Sequence, residues 1–298
     1  MRKKHSHIRD TRSEKIFYFL NGLFLTFFFI ITLYPLLCVI SGAISSPQAV
    51  ATGKVTFYPI GFSLRGFEIN LQNPKVLRGF GNSLFYTLTG TFLTTAVTLF
   101  TSFALSRKEL PGRTGISFFM AFTMWFSGGL IPTFLLIRDL GMFNSRLALI
   151  IPGMVSVWNI IVCRTFINTN IPEEMYEAAS IDGCGYFRFF WAMVLPLSTA
   201  IIAVQVLWTA IGHWNSYFNA LVYVYDPAKQ PLQLYLRSTL VSENLMDFSD
   251  VDVDTESLGI QELIKNSLIL IACLPLWIMY PFVQRHFVQG VMIGSVKG

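Results

Sequence analysis

The sequence predicts an all-α integral membrane protein with six transmembrane helices, on three observations. Of the 298 residues, 53% are hydrophobic and only 13% are charged, where an ordinary soluble domain carries about 25% charged residues. Six stretches supply the roughly 20 mainly apolar residues that a bilayer-crossing helix needs. The basic residues gather in connections that one topology places on one side of the membrane.

The spans are expected at 16–41, 80–105, 116–137, 147–167, 197–222 and 264–283. The first follows a basic run, Arg2-Lys3-Lys4, but its apolar length is far beyond the ~7–15 residues of a signal-peptide core, so it reads as a retained span. The fourth carries Pro152, Gly153 and Arg164. Prolines are tolerated there when neighbouring helices resatisfy the freed carbonyls.

Orientation follows from charge. The N-terminus holds Arg2, Lys3, Lys4, Arg9, Arg12 and Lys15, and the connection after the second span holds Arg107, Lys108 and Arg113. Both are expected in the cytoplasm. The reading is therefore a basic cytoplasmic N-terminus over 1–15 and one transmembrane domain over 16–298. Residues 168–196 and the tail 284–298 lie inside, and 42–79, 138–146 and 223–263 outside.

Several function classes are disfavoured. The cores of the spans hold almost no ionisable residue, whereas ion-coupled carriers place such groups on their ion path. His213 is the one ionisable side chain deep in a span. It reads either as a histidine bonded between helices or as a substrate contact. The chain has no G-x-x-x-x-G-K-[ST] nucleotide loop, no H-E-x-x-H and no G-x-S-x-G, so it is not expected to be an enzyme. Cys38, Cys163, Cys184 and Cys273 form neither a C-x-x-C pair nor a zinc-like spacing and read as free thiols. No basic face remains for nucleic acid. Any transport needs an external energy source.

The loop 168–196 is the most informative stretch. Asn170 is placed to cap a helix, with Pro172 in its first turn and Glu173 at the capping-box position. Gly183 and Gly185 are placed to end it. Met175, Ala178, Ala179 and Asp182 share one side of that helix. The two alanines keep this side low enough for a second protein to approach. The aromatic run Tyr186, Phe187, Phe189, Phe190, Trp191 follows.

Glu177-Ala178-Ala179, Gly183 and Leu195-Pro196 match E-A-A-x(3)-G-x(9)-I-x-L-P in spacing, with Met193 where isoleucine is usual. This resembles the motif of ABC-importer permeases, in particular the carbohydrate permeases similar to the six-span subunit of the maltose transporter. The tail, closing Val296-Lys297-Gly298, resembles the same subgroup.

The resemblance implies a type I ABC-importer permease fold, with both termini cytoplasmic, in a bacterial inner (plasma) membrane as a multi-pass protein. Its expected cargo is a carbohydrate, and by family precedent an oligosaccharide; the alternatives are another solute, such as a sugar acid or glycerol phosphate, and an ion-coupled carrier. The implied partners are a second, homologous permease, an ABC ATPase dimer and an extracytoplasmic solute-binding protein. No cofactor is expected on this chain; ATP and Mg belong to the ATPase. Glu177, Ala178, Ala179, Asp182, Gly183, Leu195 and Pro196 would couple to that ATPase, with Gly290, Gly294 and Lys297 of the tail as further contacts. Trp208, His213, Trp214, Asn215, Tyr217 and Asn219 offer rings and amides to a sugar path. The acids Asp247, Asp250, Asp252, Asp254 and Glu256 offer a docking surface for the binding protein; they do not fit an EF-hand calcium loop.

Overall fold

The computed structural model describes residues 11–246 and 255–295, whose regular elements are all helices, without a strand among the described residues. In chain order the helices are α1 (Arg12–Ala43), α2 (Pro47–Ala51), α3 (Arg65–Gln72), α4 (Pro74–Ser106), α5 (Arg113–Trp125), α6 (Leu130–Asp139), α7 (Leu147–Ile150) and α8 (Val157–Asn170). They continue as α9 (Glu173–Ile181), α10 (Tyr186–Phe189), a π-helical turn at Phe190–Val194, α11 (Leu195–Leu197), α12 (Thr199–Trp214), α13 (Phe218–Tyr223), α14 (Leu232–Met246) and α15 (Thr255–Ser295).

Three helical segments are long and apolar enough to cross a bilayer alone: Arg12–Ala43, Pro74–Ser106 and Glu256–Pro281. The first two contain the expected first and second spans, and the third covers the expected sixth span as far as Pro281. The others are interrupted. The third becomes α5 and α6, bent by 117°. Gly128 and Gly129 lie at the break, and Gly129 has φ +84°, a left-handed conformation that favours glycine. The fourth is split into α7 and α8 by residues 151–156, which contain Pro152 and Gly153. The fifth ends at Trp214 and resumes as α13. Ahead of it, the run Tyr186–Leu197 meets α12 at 81°. Pro196 lacks the N–H that would bond one turn back, and the π-helical turn just before it absorbs the misfit. The expected outer loop 223–263 also contains a helix, α14, and the start of α15.

The chain divides into two units, Met1–Asn70 with Asp250–Ile271, and Leu71–Ser249 with Ala272–Gly298. In the first, α3 lies close against α15. A Cβ at Gly66 would come within 2.6 Å of the Leu263 carbonyl oxygen. The buried Asn70 carboxamide donates to the Ile264 carbonyl and to Ser267 Oγ, both at 2.8 Å. No side chain of α1 before Ser41 is buried.

In the second unit α4 is the central element, packed by α8, α12 and α14. Small and hydroxyl residues let the helices approach. Ser102 Oγ donates to the Ile160 carbonyl at 2.9 Å, and Ser83 Oγ accepts the Leu232 N–H at 2.9 Å. Trp214 is fully buried; its Nε1–H donates to the Ala272 carbonyl at 2.8 Å, and its ring meets Phe80 edge-on. This fixes Trp214 as a packing residue and removes it from the expected sugar path.

Candidate functional site

Two sites are assembled in the second unit, at different heights along α4. The first stands at its C-terminal end. Here α9 is a short helix whose N-cap is Pro172, without a side-chain bond. The expected cap, Asn170, instead ends α8, where its amide donates to the Phe166 carbonyl. Pro172 has taken the cap position, so the box does not form, and Glu173 pairs with Lys108. The helix terminates as expected at Gly183, with φ +78°. Cys184 N–H bonds the Ala179 carbonyl at 3.0 Å and Gly183 N–H bonds that of Ser180 at 3.0 Å, a Schellman ending. Gly185 caps the start of α10 rather than closing α9.

The expected docking side of α9 needs correction. Ala179 is buried within this chain, in a cluster with Ile167, Ile171 and Phe189, and Met175 packs on the same cluster. The small side chain lets α9 seat on its own protein. The outward residues are Glu177, Ala178, Asp182, Gly183 and Ile181, and Ile181 is 87% exposed. Ile181 stands at the tip of the helix beside the motif residues, and motif spacing does not single it out. Leu195 is half-buried and Pro196 exposed.

Behind this helix sits Arg107, the last-turn residue of α4, only 6% exposed. Its guanidinium carbon lies 5.3 Å from the Phe103 ring centre and 5.8 Å from that of Tyr176. Nε donates to Ser106 Oγ at 3.2 Å, while Nη1 is buried without a partner. Tyr176 stacks on Tyr186 at 4.6 Å, and the Tyr186 hydroxyl donates to Glu109 Oε2 at 3.1 Å. Hydrogen bonding to Tyr176, burial and the Glu109 carboxylate push the Tyr186 phenol well above its ordinary value. It therefore remains a donor at neutral pH. The hydrogen bond from Lys108 holds the Glu173 carboxyl below the usual carboxylate range, and the same contact raises Lys108. An apolar cavity of about 320 Å³ lies alongside, lined by Phe103, Leu110, Pro111 and Tyr186 among others.

The second site is a cavity of about 220 Å³ among α4, α8, α12 and the two chain breaks. Thr94, Ser156, Asn159, Thr209, Ser216 and Asn219 line it with hydroxyls and carboxamides, and His213 is its single ionisable lining residue. The imidazole is held between helices. A Cβ at Gly90 would come within 2.5 Å of its ring, and one at Gly153 within 3.5 Å. Thr94 Oγ1 lies 3.4 Å from both the Gly153 carbonyl oxygen and His213 Nε2. A hydroxyl has one proton to give, so if Thr94 donates to Gly153, Nε2 is the donor to Thr94.

Of the six residues expected on a sugar path, the cavity brings together only His213 and Asn219. Trp208 and Asn215 are exposed outside its lining, and Tyr217 carries the Arg237 guanidinium 4.7 Å over its ring. Thr94, Ser156, Asn159, Thr209 and Ser216 went unremarked, because single hydroxyls and amides in an apolar helix converge only once the helices pack. Gly290 and Gly294 fall within α15, and Glu256 is exposed in its first turn. Lys297 and the acids Asp247, Asp250, Asp252 and Asp254 lie outside the described residues.

Residues 102–292 match the family described as the inner membrane component of binding-protein-dependent transport systems. The chain is 36% identical to the protein LplC of Bacillus subtilis over 98% of each. It is 35% identical to YtcP of the same organism, a polygalacturonan/rhamnogalacturonan transport system permease, over 92% of this chain and 96% of that one. A solved bacterial ABC transporter involved in the import of the acidic polysaccharide alginate contains a chain that superimposes with a TM-score of 0.84 at 32% identity, covering 93% of this chain and 99% of that one. The family match takes in the α9 helix, its Gly183 ending and His213. The chain therefore belongs to the family of inner membrane components of binding-protein-dependent transport systems.

Proposed function

We propose that this chain is the permease subunit of an ATP-driven importer for an oligosaccharide, with six membrane spans and both termini in the cytoplasm. The observation that carries the reading is the pairing of two sites on one packed unit. One is an outward-facing helix end at Ile181–Gly183; the other is a hydroxyl- and amide-lined cavity around His213. The helix end offers a separate ATPase a polar knuckle with one apolar anchor, and ATP and Mg bind on that partner. The cavity offers neutral hydrogen-bonding groups to sugar hydroxyls. Its lining contains no lysine, arginine or carboxylate, which fits a saccharide backbone better than a small organic anion.

A second permease completes the pathway, and the bare surface of α1 is available to lipid or to that partner. A solute-binding protein delivers the cargo from the outer side, at the α4 N-terminal end. Alternation between inward- and outward-facing states requires that ATP binding favour one of them through the attached helix.

The test is uptake in proteoliposomes holding the permease pair, the ATPase and a loaded binding protein. Gly183→Asp should assemble yet transport at a small fraction of the wild-type rate, because an aspartate at φ +78° reshapes the knuckle. Asn159→Ala should transport poorly with its ATPase contacts intact. Wild-type uptake in both variants would sink the reading. Comparing neutral with uronic-acid oligosaccharides on the binding protein names the cargo.

A further inference from the structure

Three consecutive residues, Arg107, Lys108 and Glu109, each hold a different residue of the 173–186 segment. Arg107 lies against the ring of Tyr176, Lys108 pairs with Glu173, and Glu109 accepts the Tyr186 hydroxyl. Tyr176 and Tyr186 are themselves stacked, 12° from parallel, so the three contacts converge on one small body. On the other side, Arg107 directly follows α4, and its guanidinium also faces Phe103 of that helix. The same α4 carries Thr94 into the His213 cavity, about three and a half turns away.

We propose that Arg107-Lys108-Glu109 is a clamp that transmits movement of the α9 helix to α4, and so to the wall of the cavity. The proposal rests on the reading that α9 docks an ATPase. It adds the route by which that docking reaches the transport path.

Each contact contributes something different. Lys108 and Glu173 are exposed enough for solvent to weaken them, so they steer rather than hold. The Arg107 contact is buried and sets one guanidinium against two rings, one on α4 and one on α9, which suits an arginine better than a lysine. Its Nη1 has no hydrogen-bond partner within the chain, so the two ring contacts are its main interactions here. The Glu109–Tyr186 bond locks the second tyrosine, which backs the first. The aligned contacts resist both sliding and tilting of α9 over α4. A helix merely packed on an apolar cluster would resist tilting alone.

The charged and titratable groups near the clamp are Arg107, Lys108, Glu109, Arg113, Glu173, Glu174, Glu177, Tyr176 and Tyr186. None of the acids among them is hydrogen-bonded to Arg107. The clamp is therefore built on the aromatic faces.

The experiment uses the assembled importer in proteoliposomes and reads three quantities: ATPase retained on the permease, ATP hydrolysed, and sugar moved per ATP. Tyr176→Leu should retain the ATPase and hydrolyse ATP within about twofold of wild type, but move about tenfold less sugar per ATP, the factor a desolvated cation–π contact carries. Tyr176→Phe keeps the ring and should keep most of the transport. Arg107→Gln should match Tyr176→Leu, and the double variant should be no worse than either alone. Lys108→Gln with Glu109→Gln, at exposed positions that leave folding undisturbed, should lower sugar per ATP by about twofold to fivefold.

Equal stoichiometry in Tyr176→Leu and in the glutamine pair, with the ATPase bound, would overturn the clamp and leave the docking reading standing. A wild-type permease that retains no ATPase would overturn both.

Discussion

Gly90 is small because His213 fills the space a side chain would need. Gly90→Ala is expected to displace the imidazole or part α4 from α12, at a cost of about 1–3 kcal/mol, since a Cβ there would sit 2.5 Å from the ring. Gly153→Ala, with 3.5 Å to the same ring, should be nearly neutral in stability. Thermal unfolding of the purified proteins in detergent compares the two. Trp214→Phe loses the bond to the Ala272 carbonyl and leaves a cavity where the larger ring stood, so it should cost about 2–4 kcal/mol and leave sugar affinity unchanged. At this scale the sequence was least legible. His213 stood out because an ionisable group in an apolar helix is rare, but its glycine slot comes from residues 60 and 123 positions away. Trp214 and Tyr217 resembled sugar-stacking rings because aromatic composition does not distinguish a packed face from an open one.

The α9 helix shows what local sequence can and cannot decide. Its ending at Gly183 followed from the residue type, because a left-handed terminus favours glycine. Its start did not, because Asn170 can close one helix as readily as open the next. Helical spacing put Met175 and Ala179 on one side, but spacing cannot say whether that side meets a partner or the chain's own core. Ala179→Leu should therefore destabilise the packing of α9 by about 1–3 kcal/mol through overpacking, measurable as protease sensitivity of the loop in the isolated permease.

The Lys108–Glu173 pair sets a pH expectation for the same element. Glu173 is lowered in the folded protein, so its contribution is present above the unfolded glutamate value and lost as pH falls through the lowered one. Lys108 is raised, so its contribution is present below the unfolded lysine value and lost as pH rises through the raised one. The ratio of wild-type to Lys108→Gln uptake should consequently stay flat from about pH 6 to pH 8 and shrink only in strong acid or strong base.

At the scale of the molecule, apolar length placed the first, second and sixth spans, because a long uninterrupted run has few alternatives in lipid. The remaining three were visible as apolar stretches but not as broken helices. Gly128-Gly129, Pro152-Gly153 and Leu195-Pro196 are compatible with both a continuous kinked helix and a broken one, and packing decides between them. The proposed topology makes a direct prediction. A single cysteine at Lys108 should react with an impermeant thiol reagent only from the cytoplasmic side, and one at Tyr225 only from outside. Labelling of Lys108 only from outside would reverse the orientation of α4, and labelling of both from the same side would overturn the odd number of crossings between them.

The two chain breaks at 151–156 and 215–217 flank the same cavity, which Gly153, Ser156 and Ser216 help to line. Backbone that leaves its helix at membrane depth must find hydrogen-bond partners in protein or in water. On the proposed function such a cavity would hold water between turnovers, and arriving sugar hydroxyls would exchange with it instead of filling a dry void. Such an exchange replaces like with like. It predicts shallow affinity and rapid departure, the behaviour of a waystation rather than a store.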